Sequence, residues 1–216
     1  PEHVGLLSGR SRGKGVVVPV GASDEWFDAG AARPPRGRQD PLQVVFFGVF
    51  TPLQGTTVIG AALALLAGRP EIEVTMIGTG QDYAACRDSA RTNPQVRWTD
   101  WVEAAALPEL VARHDVCLGI FGTTPKAALV VPNKLYQGAA AGCALVTSDT
   151  PPQLRAFDGA ASFVPAGDPA ALAHALGRLA TAAEARALLA GKARERAVEA
   201  FSADQVVTEL RRRLAD

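Results

Sequence analysis

An α/β fold built on a parallel sheet is what this sequence predicts, on three observations. From residue 43 onward, short apolar runs alternate with helix-like segments. The runs are unbroken rather than alternating apolar and polar, as expected of strands buried on both faces. Each run reaches the next through a helical segment, the crossover that parallel strands need. Together they predict a Rossmann-like parallel six-stranded sheet with helices on both faces.

The elements follow in order. Residues 43–48, Gln-Val-Val-Phe-Phe-Gly, read as a strand stopped at Gly48, and residues 57–67 as an apolar helix. Residues 73–78 form the second strand and residues 82–91 an Ala-rich helix. A short strand at 95–98, a helix at 105–113 and a strand at 116–120 come next. The helix at 135–141 is stopped by Gly142, followed by a strand at 144–148, a helix at 151–157 and a last strand at 161–164. Helix starts carry suitable local chemistry. Thr150-Pro151-Pro152-Gln153 has an N-cap, a proline at the first helical position and Gln in the capping-box place. Asp168-Pro169 opens a further helix to residue 179. Thr181 with Glu184, and Ser202 with Gln205, read as capping boxes for two final helices.

The first forty residues read differently. Residues 16–18, all Val, are strand-like, and residues 21–40 are a loop-like run rich in Gly, Pro, Arg and Ala, the composition of a linker. A lone strand cannot bury its own faces, so it belongs to another sheet. The expected division is residues 1–40 as the tail of a missing N-terminal domain plus linker, and residues 41–216 as the binding domain with its C-terminal helices. On this reading the chain does not turn over by itself.

Composition excludes several classes. The chain is 48% hydrophobic, as a folded protein is, and its 22 Lys and Arg balance 22 Asp and Glu. A zero net charge argues against nucleic acid or an anionic membrane as the main partner. No apolar run approaches the roughly 18 residues of a membrane helix, and the first twelve residues lack a signal-peptide core. Cys86, Cys117 and Cys143 are odd in number and widely spaced, which reads as reduced core thiols and a cytoplasmic location. No metal-ligand spacing occurs, so no metal is expected. His114, ahead of a strand, reads as a helix C-terminal residue. A Gly-x-Gly-x-x-Gly never follows a strand, which disfavours a dinucleotide-dependent oxidoreductase.

In an open parallel sheet, ligands bind beyond the carboxyl ends of the strands near the point where strand order reverses. Three loops fall there. The first, residues 48–55, is Gly-Val-Phe-Thr-Pro-Leu-Gln-Gly, with Gly48, Thr51 and Gln54 as candidate contacts. The second holds Gly78, Thr79 and Gly80, and each glycine pair also has a purely geometric reading as a tight turn. The third, from Gly122 through Lys126, leads to Pro132-Asn133-Lys134-Leu135-Tyr136-Gln137. Free amides at a helix start with a lysine in the first turn make a phosphate site. A cation there opposes the helix dipole, so Lys134 is misplaced for stability and suited to an anionic ligand.

Taken together, these residues resemble the C-terminal domain of GT-B glycosyltransferases, in particular the retaining group called family 4. The segment from Val17 to Ser23 with Trp26 and Phe27 is similar to the family's entry into its interdomain linker. Gly48 to Gly55, Ile77-Gly78-Thr79-Gly80, Pro132 to Gln137 with Ala140-Ala141-Gly142, and Val164-Pro165-Ala166-Gly167-Asp168-Pro169 match family motifs in order. The resemblance implies a nucleotide diphosphate sugar as donor substrate, no other cofactor, an unknown acceptor and unknown catalytic residues. It implies donor contacts at Gly48, Thr51, Gln54, Gly78, Thr79, Trp101, Val102, Lys126, Asn133, Lys134, Leu135 and Gln137. Trp98 and Trp101 are candidates to stack on the base, beside the commoner use of aromatics in a core. The family's loop Arg and Lys are replaced here by Val49 and Gln54, and its paired glutamates by Leu129 and Gln137. A variant site drawing its charge from Lys134 and Lys126 is the resulting expectation. A non-catalytic nucleotide-binding or oligomerising module and a nucleotide-sugar epimerase remain the alternatives.

Overall fold

The structure is a computed structural model that describes residue 15, residues 17–37 and residues 39–215. Its centre is a six-stranded sheet with strand order β3-β2-β1-β4-β5-β6. The strands are β1 (Leu42–Phe47), β2 (Ile72–Ile77), β3 (Val96–Thr99), β4 (Val116–Leu118), β5 (Ala144–Ser148) and β6 (Ser162–Val164). Every pairing is parallel. β1 and β2 run in register from Leu42↔Ile72 to Phe47↔Ile77, and β1 meets β4 at Val44↔Val116 and Val45↔Cys117. The order therefore reverses between β1 and β4.

The helices are α1 (Asp24–Ala31), α2 (Thr56–Leu65), α3 (Tyr83–Ser89), α4 (Leu107–Ala112), α5 (Asn133–Ala140), α6 (Pro151–Ala156), α7 (Pro169–Thr181), α8 (Ala183–Ala200) and α9 (Ala203–Ala215). All six strands and the helices between them lie within a few residues of their predicted places. The predicted helix at 105–113 opens with a short 3-10 turn, Ala104–Ala106, before α4. Two apolar clusters hold the layers together. Leu42, Val44 and Phe46 of β1 face α2, α3 and α7, while Val45 and Phe47 face α1, α4, α5 and α8. Period-two alternation thus feeds two cores, and the one polar residue of β1, Gln43, sits at its amino end.

The amino-terminal segment departs from expectation. Val16 lies outside the described residues, and Val17 to Pro19 form no strand and are exposed. The run read as a linker contains the helix α1. Its Trp26 stacks on Phe47 with ring centroids 5.7 Å apart, and Ala29 is buried beside it. Burying an aromatic side chain of this size contributes about 2 kcal/mol, enough to favour a helix in a stretch flanked by Gly and Pro. Gly30 is where α1 crosses α5: a Cβ there would collide with Ala140 O and the Arg194 guanidinium. Arg194 donates to both Ala140 O and Phe27 O, joining α1, α5 and α8. Beyond α1, Arg33 Nη2 and Arg36 Nε each lie 3.1 Å from the buried Asp115 carboxylate, which also accepts from Gln43 N at 2.9 Å. The connection is clamped beneath the amino ends of the strands.

Thr181 does not cap α8. It is the last residue of α7 and its hydroxyl donates back to Arg178 O at 3.2 Å, leaving α8 without a side-chain cap. At α6 the box closes between side chains: Gln153 Nε2 donates to Thr150 Oγ1 at 2.8 Å. Asp168 does cap α7, accepting from Ala171 N at 2.9 Å. The three cysteines are free and buried. Burial pushes the Cys86 and Cys143 thiols up to about 12 and Cys117 well above its ordinary value, as inert core thiols require.

Candidate functional site

The carboxyl ends of β1, β2, β4 and β6 converge through glycines. Gly48, Gly55, Gly78, Gly80 and Gly167 all have positive φ. At two of them the reason is close approach: a Cβ on Gly78 would collide with Gly48 O, and one on Gly55 with the Phe121–Gly122 peptide. Backbone bonds lock the loops in that approach. Phe50 N donates to Thr79 O at 2.9 Å, and Gly78 N to Thr99 O at 2.8 Å. Phe121 N donates to Gln54 O at 3.0 Å, and Gly167 N to Phe121 O at 2.9 Å. The first loop is thereby tied to its neighbours on both sides of the point where strand order reverses.

α5 aims its amino end at this place. Pro132 precedes it with extended backbone and no side-chain cap, so the first-turn amides of Asn133 and Lys134 have no capping side chain. Lys134 does not snorkel to solvent. It is 5% exposed, donates from Nζ to Gln54 Oε1, and places Nζ 3.8 Å from the Phe46 ring centroid. A Cβ on Gly48 would stand 3.2 Å from that Nζ, so the bare backbone of Gly48 is the cover over the ammonium. Burial lowers the Lys134 pKa to about 7, a shift that the nearby Cys117 opposes. Three candidates named from two loops, Gly48 and Gln54 from the first and Lys134 from the third, are brought into one contact.

The other candidates divide. Leu135 is fully buried and serves the core, while Gln137, two residues on, is half-buried. Asn133, Thr79 and Gly80 are exposed, and Thr51 is half-buried. Trp101 is 75% exposed beyond β3, next to the half-buried Val102. Trp98 instead packs on Phe50 and Tyr83 at 6.3 and 5.7 Å, the core role. Lys126 is exposed in the loop before the 3-10 turn Ala127–Leu129, outside the contact of Gly48, Gln54 and Lys134. Val49 is 61% exposed where the family pattern has a cation.

A buried polar network behind the third loop escaped the sequence reading. Gln153 accepts from Thr147 Oγ1 and donates at 2.8 Å to both Ser148 Oγ and Thr150 Oγ1. Thr147 Oγ1 in turn accepts from Ile120 N at 3.3 Å. The network sets the path of the chain as it leaves β4. Its sequence signals were the capping-box pattern of Thr150 and Gln153 and the polar residues ending an apolar strand, Thr147 and Ser148.

His114 is placed on the far side, ahead of β4. Its Nδ1 donates to Leu110 O at 2.9 Å and Nε2 accepts from Thr75 Oγ1 at 2.9 Å. Burial holds its pKa below the ordinary value, so it is a neutral structural residue. Among the described residues, no group of His, Cys, Asp and Glu is arranged to hold a metal ion, and no helix is long and apolar enough to cross a membrane. A cavity of about 440 Å³ opens between Arg33, Arg36, Asp115 and the start of α8. It lies at the amino ends of the strands, away from the glycine loops.

A family model described as glycosyl transferase-like matches residues 60–212, well over half of the chain. No curated protein matches. Among solved structures, Anabaena HepE in complex with UDP is similar at TM-score 0.72 and 16% identity, covering 90% of this chain and 56% of its own. The C-terminal domain of the group 1 glycosyl transferase LpcC from Francisella tularensis is similar at 0.62 and 15% identity, covering 88% and 100%. Sucrose-phosphate synthase from Thermosynechococcus elongatus is similar at 0.68 and 20% identity, covering 92% and 52%. The chain thus spans little more than half of the longer structures and the whole of the isolated C-terminal domain. At these identities the likeness shows the shared fold.

Proposed function

This chain belongs to the glycosyl transferase-like family, and from that premise we propose that it is the half of a retaining GT-B glycosyltransferase that binds a nucleotide diphosphate sugar. The observation that carries the proposal is the buried Lys134 ammonium beneath Gly48, bonded to Gln54 where the sheet reverses its order. HepE was solved with UDP, which makes a uridine nucleotide the first ligand to try.

Transfer requires a departing diphosphate to be stabilised while positive charge builds on the sugar. In this chain the diphosphate rests against the Gly48 backbone and the first amides of α5. Lys134 supplies the positive charge from below, replacing the two loop cations that Val49 and Gln54 displaced. Gln54 has become the acceptor that holds the ammonium in place. The nucleoside extends along Gly78, Thr79 and the exposed Trp101 with Val102, and Gln137 bonds hydroxyls or phosphate as a neutral group. An epimerase is disfavoured because His114 has both ring nitrogens engaged away from the loops.

Calorimetric titration with UDP and with uridine tests this reading. A charge-assisted contact typically contributes about 1.5–3 kcal/mol, so Lys134→Ala is expected to weaken UDP by roughly 10- to 150-fold and leave uridine unchanged. Equal losses for both ligands make Lys134 structural, and no loss for either places the phosphates elsewhere.

A further inference from the structure

A buried ammonium calls for a counter-charge, and Lys134 has none among the described residues. Its acceptor, Gln54 Oε1, is neutral, and its other close neighbour is the Phe46 ring. The elements packed on α5 are β4, β5, α1, α4 and α8. β4 brings Cys117, whose thiol burial keeps protonated and uncharged. β5, Ala-Leu-Val-Thr-Ser, brings no ionisable group. On α8, Arg194 is spent on Ala140 O at the opposite end of α5. Among the described residues, no acid of α1, α4 or α8 forms an ion pair with Lys134, and Glu109 of α4 pairs instead with Arg113. A charge so placed pays its full desolvation cost, which a neutral amine avoids.

The same geometry opens the site to an anion. Gly48 is exposed and carries no side chain where a Cβ would stand 3.2 Å from Nζ and 3.5 Å from Cε. An anionic group laid on that backbone supplies the counter-charge that the protein withholds. Building on the diphosphate-binding reading, we propose that occupancy of this site by an anion is coupled to uptake of one proton, from solvent, by Lys134.

The empty site then holds a growing fraction of neutral amine as pH rises through about 7, and the filled site holds the ammonium. Because the bound form carries the extra proton, affinity for an anion falls about tenfold per pH unit above that point. A neutral nucleoside draws no proton and shows no such slope. The site therefore distinguishes charge from shape, and does so most sharply on the acid side of its titration.

The test is calorimetry with UDP-glucose, whose diphosphate diester stays fully ionised, between about pH 6.5 and 8.5, in buffers of different ionisation enthalpy. Expected is an uptake approaching one proton at the upper end, with affinity falling about tenfold per unit; Lys134→Met is expected to bind weakly with no slope and no uptake. Affinity independent of pH in the wild type, or an equal uptake in Lys134→Met, overturns the coupling. Thermal unfolding with sulfate, also fully ionised throughout, separates the two ideas. If UDP-glucose does not bind, but sulfate protects the wild type more at the acid end and Lys134→Met removes that difference, the coupling stands and the nucleotide-sugar reading falls. No pH-dependent response to either ligand overturns the coupling.

Discussion

Replacing Lys134 by Met should make the folded protein more stable, by an amount that depends on pH in a defined way. Burial takes the Lys134 pKa from 10.5 in the free side chain to about 7 in the fold. The folded state therefore binds fewer protons than the unfolded state between those values. Stability contributed at this position rises with pH across that window, and the penalty is complete below about 7. The shift corresponds to about 5 kcal/mol at full penalty. Between about pH 6.5 and 9.5 the wild type should recover about 3 kcal/mol of it. Met keeps the stem packing and removes the charge, at the cost of the Gln54 bond, which half-exposed Gln54 can remake with water. Urea denaturation of both proteins at the two pH values measures the effect, and the difference between them cancels every other titrating group. Near pH 6.5 Lys134→Met should exceed the wild type by about 2–5 kcal/mol, and near pH 9.5 the gap should shrink by most of that. A wild type and variant with parallel pH profiles would refute the argument, because an ammonium kept in contact with water carries no such penalty. Diverging profiles of the expected sign would mean that this position gives up stability to keep a buried charge.

Other outcomes follow from the same geometry. Gly78→Ala adds a Cβ that collides with Gly48 O at a φ of +118°, so it should lower the unfolding free energy measured in urea by at least the about 1–3 kcal/mol of such backbone strain and weaken UDP; an unchanged stability would show that the two loops part freely. His114 is held neutral by burial below its ordinary 6.5, so the folded state binds fewer protons and stability is lost as pH falls below about 6.5. His114→Gln should flatten that acid limb in denaturant titrations, and an unaltered limb would place the transition on other groups. Affinity for UDP should change less than about tenfold, 1.4 kcal/mol, when a chelator is added, because the proposed diphosphate site offers Lys134 and helix-start amides in place of a metal; a larger loss would reveal a metal in the site.

The sheet was legible from local pattern. An unbroken apolar run such as residues 44–47 can be satisfied only between two layers, and Gly48 or Gly142 marks where each element stops, so the strands, their helices and the parallel class follow from spacing. The loops that matter were also legible, because glycine-bounded turns at the carboxyl ends announce themselves. The exceptions are instructive. α1 was hidden because Trp26 and Ala29 are helical only with Phe47 and α5 to cover them. Thr181 looked like a cap but belongs to the helix before it, since a hydroxyl can bond backward as readily as forward.

What the sequence by itself determined is thus the doubly covered parallel sheet, the glycine loops at the carboxyl ends of its strands and the presence of a lysine at a helix start. What only the tertiary structure decided is the state of that lysine. Nothing within its own helix separates a solvated Lys134 from one sealed beneath Gly48, because the groups that seal it, Phe46, Gln54 and Cys117, are eighty-odd, eighty and seventeen positions away in the chain. Desolvation and hydrogen bonding act through space, over a few ångströms, and no local pattern records them.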